Sequence, residues 1–269
     1  MLRFTELGSV IAVALAVVSV QPARGAPQTP DLAIDKIFAQ FTPSTPGCAI
    51  GVERAGHPAI IRAYGSADLE HGVPNTVDTI FEAGSVSKQF TAATVLLLVQ
   101  DGKLSLGDNV RKFIPELPDY GQPITIGELL GHTSGLRDWR SIEVFAGWPP
   151  GDRLYGLADA LRVATRQATL NYPPGTAWSY TNTGYDLLAI IVQRVSGKSL
   201  ADLSRERLFV PLGMAHSSWR DDFRRIVSGR AIAYDPVAGG YHEDMPFENG
   251  YGPGGLLTTV GDLLIWNRA

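Results

Sequence analysis

Strand and helix signals are unevenly distributed along this chain, and that imbalance limits its fold more than any other feature. Residues 47–52 and 59–64 are short β-like runs split by Arg54-Ala55-Gly56-His57-Pro58, which predicts a hairpin. From Ser85 onward the pattern turns helical for a long stretch. Two strands cannot bury a sheet face by themselves. Either further strands come from the loop-rich 220–250 region, or the sheet is incomplete.

The helices announce themselves by their ends. Thr29-Pro30-Asp31 reads as a helix start, followed at helical spacing by Ile34, Ile37, Phe38 and Phe41. Phe90 to Val99 is densely apolar and stops at Asp101-Gly102. Thr125 and Glu128 have capping-box spacing ahead of Leu129 and Leu130. Further helices are predicted over 154–164, 185–195 (stopping at Ser196-Gly197) and 200–209, and one starts near Thr259. The order is helix, hairpin, then a helical insertion.

Val10 to Val20 is an apolar run too short to cross a bilayer comfortably, and it fits the core of a secretory signal. Ala23-Arg24-Gly25 supplies small residues at the −3 and −1 positions, so cleavage is predicted between Gly25 and Ala26, leaving residues 26–269 to fold as one domain. This implies a secreted or periplasmic protein with no stable membrane insertion. The alternative is an uncleaved anchor on a structural protein. With 23 Lys+Arg against 27 Asp+Glu and no basic run, there is no electrostatic footprint for nucleic acid. A single cysteine, Cys48, excludes an intrachain disulfide framework. The histidines and acids show no metal-ligand spacing, so neither metal nor cofactor is expected.

Two short segments could carry chemistry. In Gly84-Ser85-Val86-Ser87-Lys88, a helix starting near Ser85 places Lys88 at i+3 on the same face. The hydroxyl then stands at a helix N-terminus, where backbone N–H groups favour developing negative charge. A partly buried lysine can serve as the base that such a serine needs. The bland reading is a capping serine before a solvated lysine. In Ser179-Tyr180-Thr181-Asn182, a tyrosine beside a lysine can shuttle a proton, and an Asn amide can bind a substrate carbonyl. Asn182 as a simple helix cap is the default. The nucleophile-elbow pattern G-x-S-x-G is absent. His132, after the capped helix, is expected to order a turn rather than act as a triad base.

Ser85-Val86-Ser87-Lys88 and Tyr180-Thr181-Asn182 are accompanied by LLGHTSGL (129–136), PPGTAWSYTNTGYDLLAIIVQRVSGKSLADL (173–203), PLGM (211–214) and GPGGLLTTVGDLL (252–264). Together they resemble the serine β-lactamase-related family of class C β-lactamases, D-Ala-D-Ala carboxypeptidases and esterases, over most of residues 30–266. The resemblance implies an α+β fold: an antiparallel sheet flanked by helices, a helical lobe, and an active site between them. It implies Ser85 as the acylated nucleophile and Lys88 as its activating partner. Tyr180 would be the general base or acid, and Asn182 would bind and position substrate.

The family pattern has a third element, a Lys- or His-led triplet ending in Gly on a later strand, which also carries an oxyanion donor. Here Lys198-Ser199-Leu200 and His216-Ser217-Ser218 come near it, and neither ends in Gly. The sequence is therefore read as a C-terminally incomplete member, without the later strands and the closing helix. Losing one oxyanion donor costs on the order of 100- to 1000-fold in rate. The expected activity is hydrolysis of an amide, β-lactam or ester through an acyl-enzyme, on a small-molecule or peptide substrate. The alternative is a non-catalytic or single-turnover sensor of cell-wall peptides. Oligomeric state is not legible.

Overall fold

The structure, a computed structural model, describes residues 30–148, 151, 153–245 and 248–269; the expected signal segment lies outside them. The chain divides into one unit up to Ile37 and a second over Phe38–Ala269. Helix α1 (Pro30–Phe38) begins in the first, where the sequence placed it. The second unit carries all the remaining elements.

Strands β1 (Cys48–Val52) and β2 (Ile60–Tyr64) form the expected hairpin, antiparallel from Cys48↔Tyr64 to Val52↔Ile60. Strands β3 (Ser66–Asp68) and β4 (Val73–Pro74) make a second small pair, and β5 (Phe81–Glu82) leads to the long helix α2 (Ser87–Gln100). Gly102, at φ 68°, stops the chain after α2 because only a residue without Cβ takes this left-handed backbone freely.

The insertion then runs through α3 (Ile126–Leu130), α4 (Trp139–Phe145), α5 (Leu157–Ala164) and α6 (Thr183–Ser196). The capping box at α3 is complete: Glu128 N–H donates to Thr125 Oγ1 at 3.2 Å, and Thr125 N–H donates to Glu128 Oε2 at 2.7 Å. The single helix expected over 200–209 is instead α7 (Leu200–Ser204) followed by a π-helical turn at 205–209 and the short α8 (Val210–Leu212). Phe90, Leu98, Leu129, Leu187, Leu188 and Ile191 are fully buried where α2, α3 and α6 meet. Each contributes roughly 1.5–3 kcal/mol by leaving water.

The strands beyond the insertion are short: β6 (Ser218–Trp219), β7 (Tyr234–Val237), β8 (Gly240–Glu243) and β9 (Leu256–Thr258). Strands do arise in the 220–250 region, but β7 and β8 pair with each other and do not extend the first hairpin. The face of that hairpin is covered by α9 (Val260–Arg268), capped by Thr259: a Cβ at Gly51 would lie 2.8 Å from Val260 Cγ2 and 2.9 Å from Leu264 Cδ1. A separate antiparallel sheet, ordered β5-β9-β6, draws residues 81–82, 256–258 and 218–219 together. This sheet brings the 252–256 segment against the start of α2.

Candidate active site

Ser85 lies in one turn of 3₁₀ helix, Gly84–Val86, that runs directly into α2. Gly84 has φ 49°, which turns the chain out of β5. Lys88 comes one turn later and is buried, whereas Ser85 and Tyr180 are exposed. Tyr180 reaches the serine from just ahead of α6, and its hydroxyl is 2.7 Å from Ser85 Oγ. Lys88 Nζ donates to Ser85 Oγ at 3.3 Å, to Asn182 Oδ1 at 3.0 Å and to the Pro253 carbonyl at 2.8 Å. All four residues singled out by the sequence thus meet at one point.

Asn182 departs from the role of a simple cap. It occupies the N-cap position of α6, yet its side chain makes no capping bond. Its Oδ1 takes the lysine bond and lies 3.4 Å from the Tyr180 hydroxyl instead.

The three N–H groups of Lys88 meet three neutral oxygens. The rings of Tyr180 (4.6 Å) and Tyr185 (5.5 Å) also lie within reach of its charge. The site therefore surrounds Lys88 Nζ with oxygen dipoles and aromatic faces, next to an open hydroxyl. His132 sits behind Tyr180, with ring centroids 4.7 Å apart. Burial, and then the Lys88 charge, hold its imidazole below the usual range, so it is neutral at pH 7. Its Nδ1 accepts from Thr181 N–H at 3.3 Å, and its carbonyl accepts from Ser179 N–H at 3.0 Å. Its backbone takes φ 57°, the left-handed region that polar residues tolerate best. His132 orders a turn, as the sequence suggested, and that turn carries Tyr180.

Several supporting residues have no signal of their own in the sequence. Asp138 accepts from Asn182 N–H at 2.6 Å with one oxygen and from Ser141 N–H at 3.2 Å with the other, joining α6 to the start of α4. Nothing in its neighbourhood marks it beyond the capping signal of an aspartate. Thr91 Oγ1 donates to the Gly252 carbonyl at 2.8 Å. Ser87 Oγ donates to the Gly84 carbonyl at 2.6 Å and accepts from Leu256 N–H at 3.0 Å. The run Gly252-Pro253-Gly254-Gly255, part of the family resemblance, presents the Pro253 carbonyl to Lys88. Gly252 has φ 124°, and a Cβ there would stand 2.9 Å from the Tyr185 carbonyl oxygen.

In the first turn of α6, Asp186 is fully buried and accepts from Trp139 Nε1 at 2.7 Å. Burial pushes its carboxyl up to about 8 against the opposing pull of Arg140 and the indole bond. The near matches to a third triplet hold structural places: Lys198 pairs with Glu206, Ser199 caps α7, and Ser217 Oγ donates to Asp262 at 2.7 Å.

An exposed serine hydroxyl held against a buried lysine and a tyrosine, at the junction of a helical lobe and small antiparallel sheets, defines a protein of the β-lactamase/transpeptidase fold class. A family model described as Beta-lactamase matches residues 34–268, and the chain belongs to that family. The chain is 30% identical over 238 residues to a D-aminopeptidase of Gluconobacter oxydans, a match covering 88% of this chain and 44% of that protein. It is 36% identical over 153 residues to Penicillin-binding protein 4* of Bacillus subtilis, covering 56% of this chain and 33% of that protein. Among solved structures it resembles an octameric penicillin-binding protein homologue from Pyrococcus abyssi, with a TM-score of 0.75 and 29% identity over 88% of this chain and 55% of that one. It also resembles a D-amino acid amidase from Ochrobactrum anthropi SV3 complexed with L-phenylalanine, with a TM-score of 0.74 and 25% identity over 87% of this chain and 69% of that one. The chain spans under half the length of the curated relatives it matches.

Proposed function

We propose that this chain is a serine hydrolase that cleaves amide or peptide bonds through an acyl-enzyme on Ser85. The observation that carries the proposal is the 2.7 Å contact between Ser85 Oγ and the Tyr180 hydroxyl, with Lys88 Nζ 3.3 Å away. Ser85 Oγ attacks the substrate carbonyl carbon while its proton passes, directly or through the Tyr180 hydroxyl, to Lys88, which reacts as the unprotonated amine. The Ser85 amide, in the first turn at the mouth of α2, is placed to donate to the oxyanion as it forms. When the C–N bond breaks, Tyr180 returns a proton to the departing nitrogen. A water molecule then attacks the Ser85 ester by the same route in reverse, releasing the acid and restoring the hydroxyl. Asn182, fixed from behind by Asp138, orients Lys88 and offers its N–H groups to the substrate.

The names of the relatives, a D-aminopeptidase and a D-amino acid amidase, support an amide of a D-configured residue as the substrate class, with β-lactams and esters as acylating surrogates. The apolar run at Val10–Val20 supports action in a secreted or periplasmic setting. The test is intact mass before and after exposure to a penicillin or an activated ester. One adduct mapping to Ser85, absent in Ser85→Ala, is the expected result. An adduct that survives Ser85→Ala rejects the assignment, and one that never hydrolyses gives a sensor instead.

A further inference from the structure

Trp178 is 65% exposed, an unusual setting for the largest apolar side chain. It lies two residues before Tyr180, and both pack on the same ring. The Trp178 indole meets His132 edge-on, with centroids 6.1 Å apart and planes at 81°, while Tyr180 lies against it at 4.7 Å. The backbone explains the pairing. Ser179 N–H and Thr181 N–H both point to His132, one to its carbonyl and one to its Nδ1. Alternate residues of this stretch thus turn their amides to the histidine turn, as in an extended strand, and Trp178 and Tyr180 share a side.

Tyr180 is itself 44% exposed and touches Ser85, whose neighbour Val86 is exposed too. The open indole thus stands two residues from the tyrosine that touches Ser85, and both rings rest on His132. It contributes little to the core, and no hydrogen bond of the proton network passes through it. What it offers is an exposed aromatic surface steadied by His132, on the side of the chain it shares with Tyr180.

We infer that Trp178 is a recognition surface for an aromatic or bulky apolar group attached to the scissile carbonyl of the substrate. This rests on the acyl-enzyme reading of Ser85. The group would lie on the indole while the carbonyl carbon reaches Ser85 Oγ, gaining apolar burial and ring stacking in both acylation and deacylation. Such a contact selects among acyl groups and leaves the chemistry to Ser85, Lys88 and Tyr180.

The experiment compares two activated esters that share one leaving group, an arylacetyl and an acetyl ester, on the wild-type chain, Trp178→Ala and Trp178→Phe. In Trp178→Ala, kcat/KM for the arylacetyl ester is expected to fall by about tenfold while the acetyl ester is unchanged, the size of effect that an aromatic pair supplies. Trp178→Phe restores most of the preference. Acylation rates measured by intact mass should show the same ratio. If both esters lose equally, Trp178 merely supports the His132 turn and the inference is overturned. It is likewise overturned if the ratio does not move. If the wild-type chain hydrolyses neither ester and forms no adduct, the hydrolase reading fails and takes this one with it.

Discussion

Lys88 Nζ donates to the carbonyl of Pro253, 165 residues further along the chain, at 2.8 Å. Among the described residues, Lys88 is thus steadied beside Ser85 by backbone and amide oxygen and not by a carboxylate. A lysine so held can orient the serine and take part in proton transfer.

Lys88→Met removes the donor and leaves Asn182 Oδ1 and the Pro253 carbonyl short of a partner. The acylation rate should fall by at least about 100-fold. Stability should fall by about 1–3 kcal/mol, the cost of unsatisfied buried acceptors. Stopped mass spectrometry with an activated ester and a urea titration measure the two effects separately.

Tyr180→Phe separates chemistry from folding more cleanly. The ring keeps its contact with His132, and its exposed hydroxyl adds little to stability, so unfolding should shift by under about 0.5 kcal/mol. Acylation should slow by on the order of 100- to 10,000-fold. A variant that acylates at the wild-type rate would show that Lys88 alone handles the proton.

Gly252→Ala introduces a Cβ 2.9 Å from the Tyr185 carbonyl oxygen and 3.1 Å from Ala189 Cβ, at a φ of 124°. The backbone has to move, taking the Pro253 carbonyl with it. Stability should drop by about 1–3 kcal/mol, and Ser85 acylation should slow as well. Gly240→Ala, which meets nothing within 4 Å, serves as the control and should leave both unchanged.

Asp186 makes stability depend on pH. Its native carboxyl titrates at about 8, far above the unfolded value near 3.9, so between these limits the native state holds the extra proton. Stability therefore falls as pH rises through this window. Asp186→Asn keeps an acceptor for Trp139 Nε1 and removes the titration. Relative to that variant, the wild-type chain should lose on the order of 3–4 kcal/mol between pH 5 and pH 8. Parallel unfolding curves at the two pH values would contradict this.

His132→Ala should lower the melting temperature more than it lowers the intrinsic rate, because the ring supports Thr181, Tyr180 and Trp178 together. His132→Asn, which tolerates φ 57°, should recover part of the lost stability. Thermal melts and acylation rates on the same samples give the comparison.

Much of this fold was legible because its helices carry explicit stops. Asp101-Gly102, Ser196-Gly197 and the Thr125–Glu128 box lie where the structure ends or starts a helix. Ser85, Lys88, Tyr180 and Asn182 were legible as candidates from their side chains, and the structure brings those side chains together. The strands β5, β6 and β9 were not, because two or three residues are too few to show an alternating pattern. Helix α4 was hidden for a similar reason, being seven residues long. The roles of Asp138 and Pro253 were hidden for a different reason. One acts through a backbone N–H and the other through its own carbonyl, and every residue has a carbonyl to offer.

The bond from Leu256 N–H to Ser87 Oγ spans 169 residues. During synthesis, the segment bearing Ser85 is made long before the strand that braces it. Until residues 252–258 dock, the turn bearing Ser85 has neither its β9 neighbour nor the carbonyl that steadies Lys88. Closing such a long loop is slow compared with forming local helices. The helical insertion can therefore collapse first, leaving an intermediate with a formed core and an unassembled site. Reactivity towards an acylating probe would then emerge late in refolding, after helical signal has returned, and would report the last step of folding.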